Sequence, residues 1–241
     1  MKMIHVSAIA TGIVIVLGIF MVIPPYIKPT SAKVFLLSFS ISEDVEQSWC
    51  DNLASIIKKH NVGATIFFSG KVAEKNPECV KTFPDNVDIG SQMYHYVSLA
   101  SLSDYTKKLE EIQRGKKAVD TAGNLNSKLF KAPYGNTDDN IYSLLTRSNI
   151  TVDFSYDDQY NKYYDGKFLK FELESYDGLS HTPEFFHNLI TNEPIVINFD
   201  SSIPVSYVDN FISKMKSRST HFIDASELTG LPLTIRNGGM I

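Results

Sequence analysis

Residues able to carry out acid–base chemistry follow several apolar segments of this 241-residue chain, at His95, Lys131, Asp157, Asp158 and Asp200. A histidine beside a carboxylate can take up or release a proton, and His95 with Asp157 is the candidate pair for such a role. The alternative is that His95 hydrogen-bonds locally and that the aspartates only solvate loops. Which reading holds depends on the elements that position these residues.

Lys131 lies in the segment most typical of a functional loop. Residues 128–135 run from apolar or long side chains into a Pro-Tyr-Gly turn, and a helix-like segment follows. This order predicts a buried strand that ends in a rigid turn before a helix. In α/β sheets and barrels the loops after the carboxyl ends of strands carry the chemistry. An ordinary strand-to-helix turn is the alternative.

Strand-like and helix-like segments alternate along the chain. Short apolar runs typical of buried strands cover 34–39, 64–68, 87–90, 128–132, 150–155, 195–199 and 221–224. Amphipathic segments separate them, including a long helix that Ser103 caps and that reaches about Ala122. Such alternation predicts parallel βα units and an α/β fold. About seven units favour a distorted (β/α)7-type barrel over residues 33–231, followed by a C-terminal tail at 232–241.

The net charge of the chain is −4, and no cluster of basic residues interrupts the sequence. A nucleic-acid partner requires Lys and Arg side chains placed against a phosphate backbone. The composition therefore gives no reason to expect nucleic acid as a partner.

The N-terminus carries a membrane signal. Residues 4–23 are almost wholly apolar, and about 20 such residues match the thickness of a bilayer core. A cleaved signal peptide is the alternative, although its apolar run is normally shorter. We predict an uncleaved transmembrane anchor over 1–24 and a tether over 25–32. In an extracytoplasmic domain Cys50 and Cys79 could form a disulfide, and two buried free thiols are the alternative.

Three segments, in the right order, resemble the polysaccharide deacetylase family, the NodB-type carbohydrate esterases of family four. Residues 64–71 are similar to that family's second strand and helix, and 222–228 to its closing strand. Residues 130–135, Phe-Lys-Ala-Pro-Tyr-Gly, correspond to the family's Phe-Arg-Pro-Pro-Tyr-Gly. The resemblance covers nearly everything from Lys33 to about Leu231. It implies a distorted barrel whose site lies at the strand ends.

The metal-binding motifs of that family are altered in this sequence. The family's Thr-Phe-Asp-Asp-Gly falls on residues 38–42, so the general base and a metal-binding aspartate are replaced by Ser40 and Ile41. The family's Asn-His-Thr-x-Ser-His falls on residues 91–96, so the two metal-binding histidines are replaced by Gln92 and Tyr96. His95 occupies the serine position of that motif.

The remaining catalytic positions are altered as well. The family's late Leu-x-His falls on residues 197–199, so its general acid is replaced by Phe199, and the arginine of the central motif is replaced by Lys131. Deacetylation in this family requires a divalent metal such as zinc, which polarises the acetyl carbonyl and activates water. We therefore expect no cofactor here and interpret the chain as a pseudoenzyme.

Aromatic and polar residues remain where the family binds its substrate. The predicted binding face consists of His95, Tyr134, Tyr156, Asp157, Tyr160 and Asp200. Flat aromatic rings with polar rims suit sugar rings and equally suit a protein partner, although they can also simply cover a barrel mouth. We predict a membrane-anchored, extracytoplasmic and non-catalytic interaction subunit that binds a glycan or a membrane-protein partner. The alternatives are a hydrolase of C–N amide bonds in N-acetylated carbohydrate and a structural component of an envelope or membrane complex.

Overall fold

A computed structural model describes residues 33–42, 45–137, 140–155, 169–170, 173–189, 193–218 and 220–237. The predicted anchor at 1–24 and the tether at 25–32 lie outside these ranges. Within the ranges, no helix combines the length and the apolar character needed to cross a bilayer.

Strands and helices alternate through the described ranges. The strands are β1 (Lys33–Ile41), β2 (Ala64–Phe68), β3 (Val87–Ser91), β4 (Leu125–Ser127), β5 (Leu129–Phe130), β6 (Val152–Asp153), β7 (Leu169–Lys170), β8 (Ser175–Asp177), β9 (Ile195–Asp200), β10 (Thr220–Ile223) and β11 (Thr234–Arg236). The helices are α1 (Gln47–His60), α2 (Gly70–Lys75), α3 (Pro77–Lys81), α4 (Tyr105–Gly123), α5 (Ile141–Arg147), α6 (Pro183–Asn188), α7 (Val205–Lys216) and α8 (Ala225–Thr229).

Nine strands form one curled sheet in the order β7-β6-β5-β3-β2-β1-β9-β8, and β10 also pairs with β1. Every pairing in this sheet is parallel, which confirms the predicted βα arrangement. Each of the seven predicted apolar runs overlaps one of its strands. The described strands form a curled half-barrel, consistent with the predicted distorted barrel, and its edge strands β7 and β8 are not paired with each other.

Side chains of β1 alternate between two apolar layers, as the twofold period of a strand requires. Phe35, Leu37, Phe39 and Ile41 belong to an outer layer that includes helix residues of α1 and α7. Leu36 instead belongs to the interior layer. The other interior members include Phe67, Leu129, Val152, Val196 and Ile223. Burying each large apolar side chain stabilises the fold by about 1.5–3 kcal/mol.

Two local boundaries differ from the sequence prediction. Helix α4 begins at Tyr105, and its cap is Asp104, whose carboxylate accepts a hydrogen bond from the Thr106 N–H, so Ser103 is not the cap. The segment assigned to a C-terminal tail contains β11, which pairs antiparallel with β4. Leu233 in the same segment is buried in the interior layer. The folded domain therefore continues past residue 231, because this apolar side chain and this strand pairing depend on it.

A disulfide joins Cys50 of α1 to Cys79 of α3, with the two Cα atoms 5.4 Å apart. Both side chains are fully buried. A covalent link of this kind restricts the unfolded chain, and for a separation of 29 residues it contributes about 3.6 kcal/mol in the chain-entropy model. Of the two alternatives that the sequence left open, the structure has the bonded one.

Candidate functional site

The carboxyl ends of the parallel strands bring the altered motifs to one edge of the sheet, which we call the mouth. Ser40 and Ile41 end β1, Gln92 follows β3, and Lys131 follows β5. The pairing register places Ser40 beside Asp200 at the end of β9. The backbone N–H of Gln92 donates to the carbonyl oxygen of Phe68, the last residue of β2. Segments that are far apart in sequence therefore meet, as expected for parallel strands.

The two residues predicted to replace the family's aspartates have different surroundings. Ser40 is 7% exposed and lines a cavity of about 270 Å³, which we call the mouth cavity. Ile41 is fully buried in the outer apolar layer. A hydrocarbon side chain in that layer offers no atom for a metal. The predicted loss of a ligand at Ile41 is therefore accompanied by a packing role.

The two residues predicted to replace the family's histidines are also poor metal ligands. Gln92 is fully buried, and neither its Oε1 nor its Nε2 has a hydrogen-bond partner within the described part of the chain. The ring of Tyr96 lies 4.8 Å from the ring of Tyr134, measured between centroids. The Tyr96 hydroxyl oxygen also accepts a hydrogen bond from the Tyr134 N–H at 3.5 Å. Zinc sites use histidine nitrogen, cysteine sulfur or carboxylate oxygen, none of which these side chains supply.

His95 forms its contacts with a residue that the sequence did not single out. Its Nδ1 lies 3.0 Å from Oε1 of Glu111 on α4, and its backbone N–H donates to Oε2 of the same carboxylate at 2.9 Å. The expected partner, Asp157, lies outside the described residues. The sequence pattern of α4 identifies only its inward apolar positions, so it did not indicate that Glu111 contacts His95.

Lys131 is the buried centre of a polar cluster. Its Nζ donates to Ser38 Oγ at 3.0 Å and to Asn198 Oδ1 at 2.6 Å, and Asn198 Nδ2 donates to Ser175 Oγ. Burial lowers the pKa of the Lys131 amine from its ordinary 10.5 to about 7, because desolvation penalises the charged form. Sequence reasoning missed Ser38, Asn198 and Ser175. The twofold period of β1 and β9 could have found the first two, since it places them on the interior face.

In the late motif, Phe199 and its neighbour Asn198 have different surroundings. The ring of Phe199 stacks on that of Phe39, with centroids 5.5 Å apart, and meets Phe211 of α7 edge-on. Its neighbour Asn198 is the interior side chain that contacts Lys131. Asp200 accepts a hydrogen bond from the backbone N–H of Ser202, so its carboxylate is held by its own loop.

Among the described residues, Tyr134 is the most exposed large hydrophobic side chain at the mouth. It is 56% exposed and has a φ of +59°, a left-handed conformation that is uncommon for a residue with a side chain. It borders both the mouth cavity and a second cavity of about 430 Å³, which Ser42, Ser69, Lys71 and His95 also line. Tyr96 borders both cavities as well. Tyr156 and Tyr160, the other predicted aromatic residues, lie outside the described residues.

These surroundings do not fit a family-type metal centre. Across the described residues, no group of three or more His, Cys, Asp or Glu side chains could hold a metal ion. The three altered ligand positions offer an alkyl group, an amide and a phenol. What the mouth does offer is a buried amine, several hydroxyl groups and two adjoining tyrosine rings.

Comparisons with known proteins identify the family from a family model and the fold from solved structures. The family model described as polysaccharide deacetylase matches residues 27–153. No curated protein matches the chain. Among solved structures, a family 4 carbohydrate esterase from Streptomyces lividans is 19% identical with a TM-score of 0.60, and the alignment covers 83% of this chain and 95% of that one.

Two further structures have the same fold. Peptidoglycan deacetylase PdaC from Bacillus subtilis is 15% identical, with a TM-score of 0.60 over 85% of this chain and 93% of its own. A pseudoenzyme of carbohydrate esterase family 4 from Bacillus anthracis is 17% identical, with a TM-score of 0.59 over 83% of this chain and 66% of its own. At these identities the likeness establishes the fold alone.

Proposed function

The chain belongs to the polysaccharide deacetylase family, and on that premise we propose that it is a non-catalytic member that binds a glycan at the mouth. The deacetylase reaction of the family requires a metal and two proton-transfer groups. The side chains that stand in their place have other roles here. The binding surface that remains is formed by Tyr134, Tyr96 and the polar groups of the mouth cavity.

The environment of Ile41 and Phe199 is the observation that carries the loss of catalysis. Both side chains are integrated into the outer apolar layer, and Phe199 stacks on Phe39 there. A metal-binding carboxylate or a proton-donating imidazole in this layer would be desolvated among hydrocarbon groups. Ile41 and Phe199 therefore support a domain in which apolar packing takes the place of the family's metal ligand and proton donor.

The backbone of Tyr134 supports a binding role for the mouth. A left-handed residue that is not glycine costs about 1 kcal/mol or more, and such conformations cluster at functional sites. Here the conformation presents an exposed ring beside the Tyr96 ring. Aromatic faces of this kind pack against the apolar faces of sugar rings while the hydroxyl groups remain available for hydrogen bonds.

We place this domain on the extracytoplasmic side of a membrane, anchored by residues 1–24. The apolar length of residues 4–23 supports the anchor. The Cys50–Cys79 disulfide supports the location, because such bonds persist in oxidising compartments and are rare in the cytosol.

The proposal is tested by measuring glycan binding and acetate release on the same preparation. The domain should bind N-acetylated oligosaccharides such as chitin oligomers, release no acetate from them and retain no stoichiometric zinc. Tyr134→Ala should weaken binding by roughly tenfold, which corresponds to about 1.4 kcal/mol of lost stacking.

Leu231→Ala is the matched control, because Leu231 is similarly exposed, at 49%, and does not line the mouth cavities. It should leave the affinity unchanged. Acetate release with one equivalent of bound zinc would refute the loss of catalysis. Equal affinities for the wild type and Tyr134→Ala would refute the assignment of the mouth as the binding surface.

A further inference from the structure

A groove between three helices lies apart from the mouth, and we call it the helix groove. Its volume is about 480 Å³, within the range of roughly 300–1,000 Å³ that ligand sites have. Helices α2 and α3 form one wall, and α4 forms the other. None of the described residues that line it borders the mouth cavity or the cavity beside it. The helix groove is therefore a separate surface from the one proposed to bind a glycan.

The apolar part of the helix groove is lined by short side chains. These are Ala73, Pro77, Ala118 and Ala122. Ala73 and Ala122 are buried in the outer apolar layer, and Ala118 packs against that layer. Because these side chains are short, they leave room for a larger apolar side chain supplied by a partner.

Positive charge is in excess along the helix groove. Its lining includes three cations, those of Lys81, Arg114 and Lys117. The one carboxylate in its described lining belongs to Glu74, which accepts a hydrogen bond from the Tyr94 hydroxyl and lies 4.0 Å from the Arg114 guanidinium. The chain as a whole has a net charge of −4, so the groove differs in sign from the rest of the protein.

The cations are placed where a negatively charged partner can reach them. The guanidinium carbon of Arg114 lies 3.4 Å from the centroid of the Tyr94 ring, and this stacking orients the guanidinium. Lys81 forms an ion pair with Glu78 at 2.7 Å, and exposed pairs of this kind contribute at most about 1 kcal/mol. Lys117 is exposed on α4. A partner's carboxylates can therefore approach both walls of the groove.

The wall formed by α4 extends over two helical turns. Its lining residues are Arg114, Lys117, Ala118, Thr121 and Ala122, which follow the i, i+3, i+4, i+7, i+8 pattern of one helix face. At 1.5 Å per residue this face is about 12 Å long. A short peptide segment fits such a length, as in complexes in which a helix lies in an apolar groove.

A lipid surface fits the helix groove less well. Docking on a bilayer uses protruding apolar side chains that enter the hydrocarbon boundary. The exposed large hydrophobic side chains of the described residues, such as Leu179, Leu231 and Ile235, lie outside this groove. A concave apolar surface instead receives a side chain from its partner.

We propose that the helix groove is a docking site for an acidic peptide segment of a protein partner. A large apolar side chain of that segment occupies the space over the alanines, and Asp or Glu side chains on either side of it meet Lys81, Arg114 and Lys117. An arginine fork binds a carboxylate through two parallel hydrogen bonds, so Arg114 is the contact that sets the orientation of the segment. This site is independent of the proposed glycan binding, because the two use different surfaces.

The test is titration of a dye-labelled peptide, with one leucine between flanking glutamates, against the folded domain by fluorescence anisotropy. The wild type should bind it with a Kd below about 1 mM, and added salt should weaken the binding because the charges are exposed. A peptide with lysine in place of glutamate and one with serine in place of leucine should each bind roughly tenfold more weakly. Absence of binding, or equal binding of the three peptides, would overturn the proposal.

Charge reversal within the helix groove tests the placement of the site. Lys117→Glu should weaken peptide binding by roughly tenfold, because it replaces an attraction by a repulsion. Lys107→Glu is the matched control, since Lys107 is an exposed lysine of the same helix that does not line the groove, and it should leave the affinity unchanged. Ala118→Leu fills the apolar part of the groove and should weaken binding by a similar factor. Equal affinities for the wild type and Lys117→Glu would contradict the proposal.

Two further measurements distinguish this site from the mouth and from a lipid surface. Lys117→Glu should keep its affinity for chitin oligomers, and Tyr134→Ala should keep its affinity for the peptide, so each proposal can fail without the other. Loss of chitin binding in Lys117→Glu would place the groove within the glycan-binding surface and overturn its assignment to a protein partner. Binding of phosphatidylglycerol vesicles that is tighter than peptide binding and is lost in Lys117→Glu would assign the groove to lipid and overturn it as well.

Discussion

The interior of the curled sheet has an apolar region and a polar region, and the two differ in how they affect the stability of the fold. Leu36, Phe67 and Leu129 are fully buried hydrocarbon side chains of the interior layer. Two residues further along the same strands, Ser38 and Lys131 occupy the same face and form a hydrogen-bonded cluster with Asn198. The apolar region stabilises the fold, whereas the polar region holds a group whose burial costs free energy.

Positions two residues apart on the same face therefore have opposite effects on the stability of the fold. A fully buried leucine contributes through its transfer from water and its packing. A fully buried lysine is penalised by desolvation unless it gives up its proton. The buried Lys131 carries this desolvation cost at the mouth, which is why the polar region is the part to which we assign a function.

The largest difference from the wild type is expected in the pH dependence of stability of Lys131→Met. This change keeps the length of the side chain and removes the titrating group. The unfolded chain keeps this proton up to about pH 10.5, whereas the folded chain releases it near pH 7, so stability rises as pH rises between those values. At about 1.4 kcal/mol per pKa unit, this rise is on the order of 5 kcal/mol in the wild type and is absent from the variant.

Urea unfolding of both proteins between neutral and alkaline pH measures this difference. Lys71→Met, which removes an exposed lysine of the mouth, should follow the wild-type profile. Parallel profiles for the wild type and Lys131→Met would show that Lys131 is not desolvated in the folded state.

A somewhat smaller effect is expected in the apolar region. Leu36→Ala removes buried hydrocarbon from the interior layer and leaves a cavity, so the free energy of unfolding should fall by about 3 kcal/mol. Ser38→Ala, two residues away on the same face, loses one hydrogen bond to Lys131 and should cost about 1 kcal/mol. Equal losses in denaturant unfolding would remove the distinction between the two regions.

The smallest effect has the opposite sign and concerns Gln92. Its buried amide has no hydrogen-bond partner within the described residues, so Gln92→Leu should stabilise the fold by about 1 kcal/mol. Gln92→Asn keeps the amide, loses a methylene group and should destabilise the fold. Thermal unfolding of the two variants measures both changes in stability. A loss of stability in Gln92→Leu would mean that the amide has a hydrogen-bond partner in the folded protein.

The sequence by itself determined the order and type of the main elements. Each predicted apolar run became a strand of the parallel sheet, because runs of buried β-forming residues between amphipathic segments admit few other structures. The motif at residues 130–135 also identified the family, and its arginine-to-lysine change singled out Lys131 from the residue types alone.

The tertiary structure decided which side chains meet. His95 contacts Glu111, which lies on a helix 16 residues away, and Lys131 contacts Ser38 and Asn198 across 93 and 67 residues. Motif alignment puts Phe199 at the position of the family's general acid, and the structure adds that its neighbour Asn198 contacts Lys131 while Phe199 packs in the outer layer. A one-residue step along a strand reverses the face of a side chain, and only strand pairing fixes which residue faces the interior.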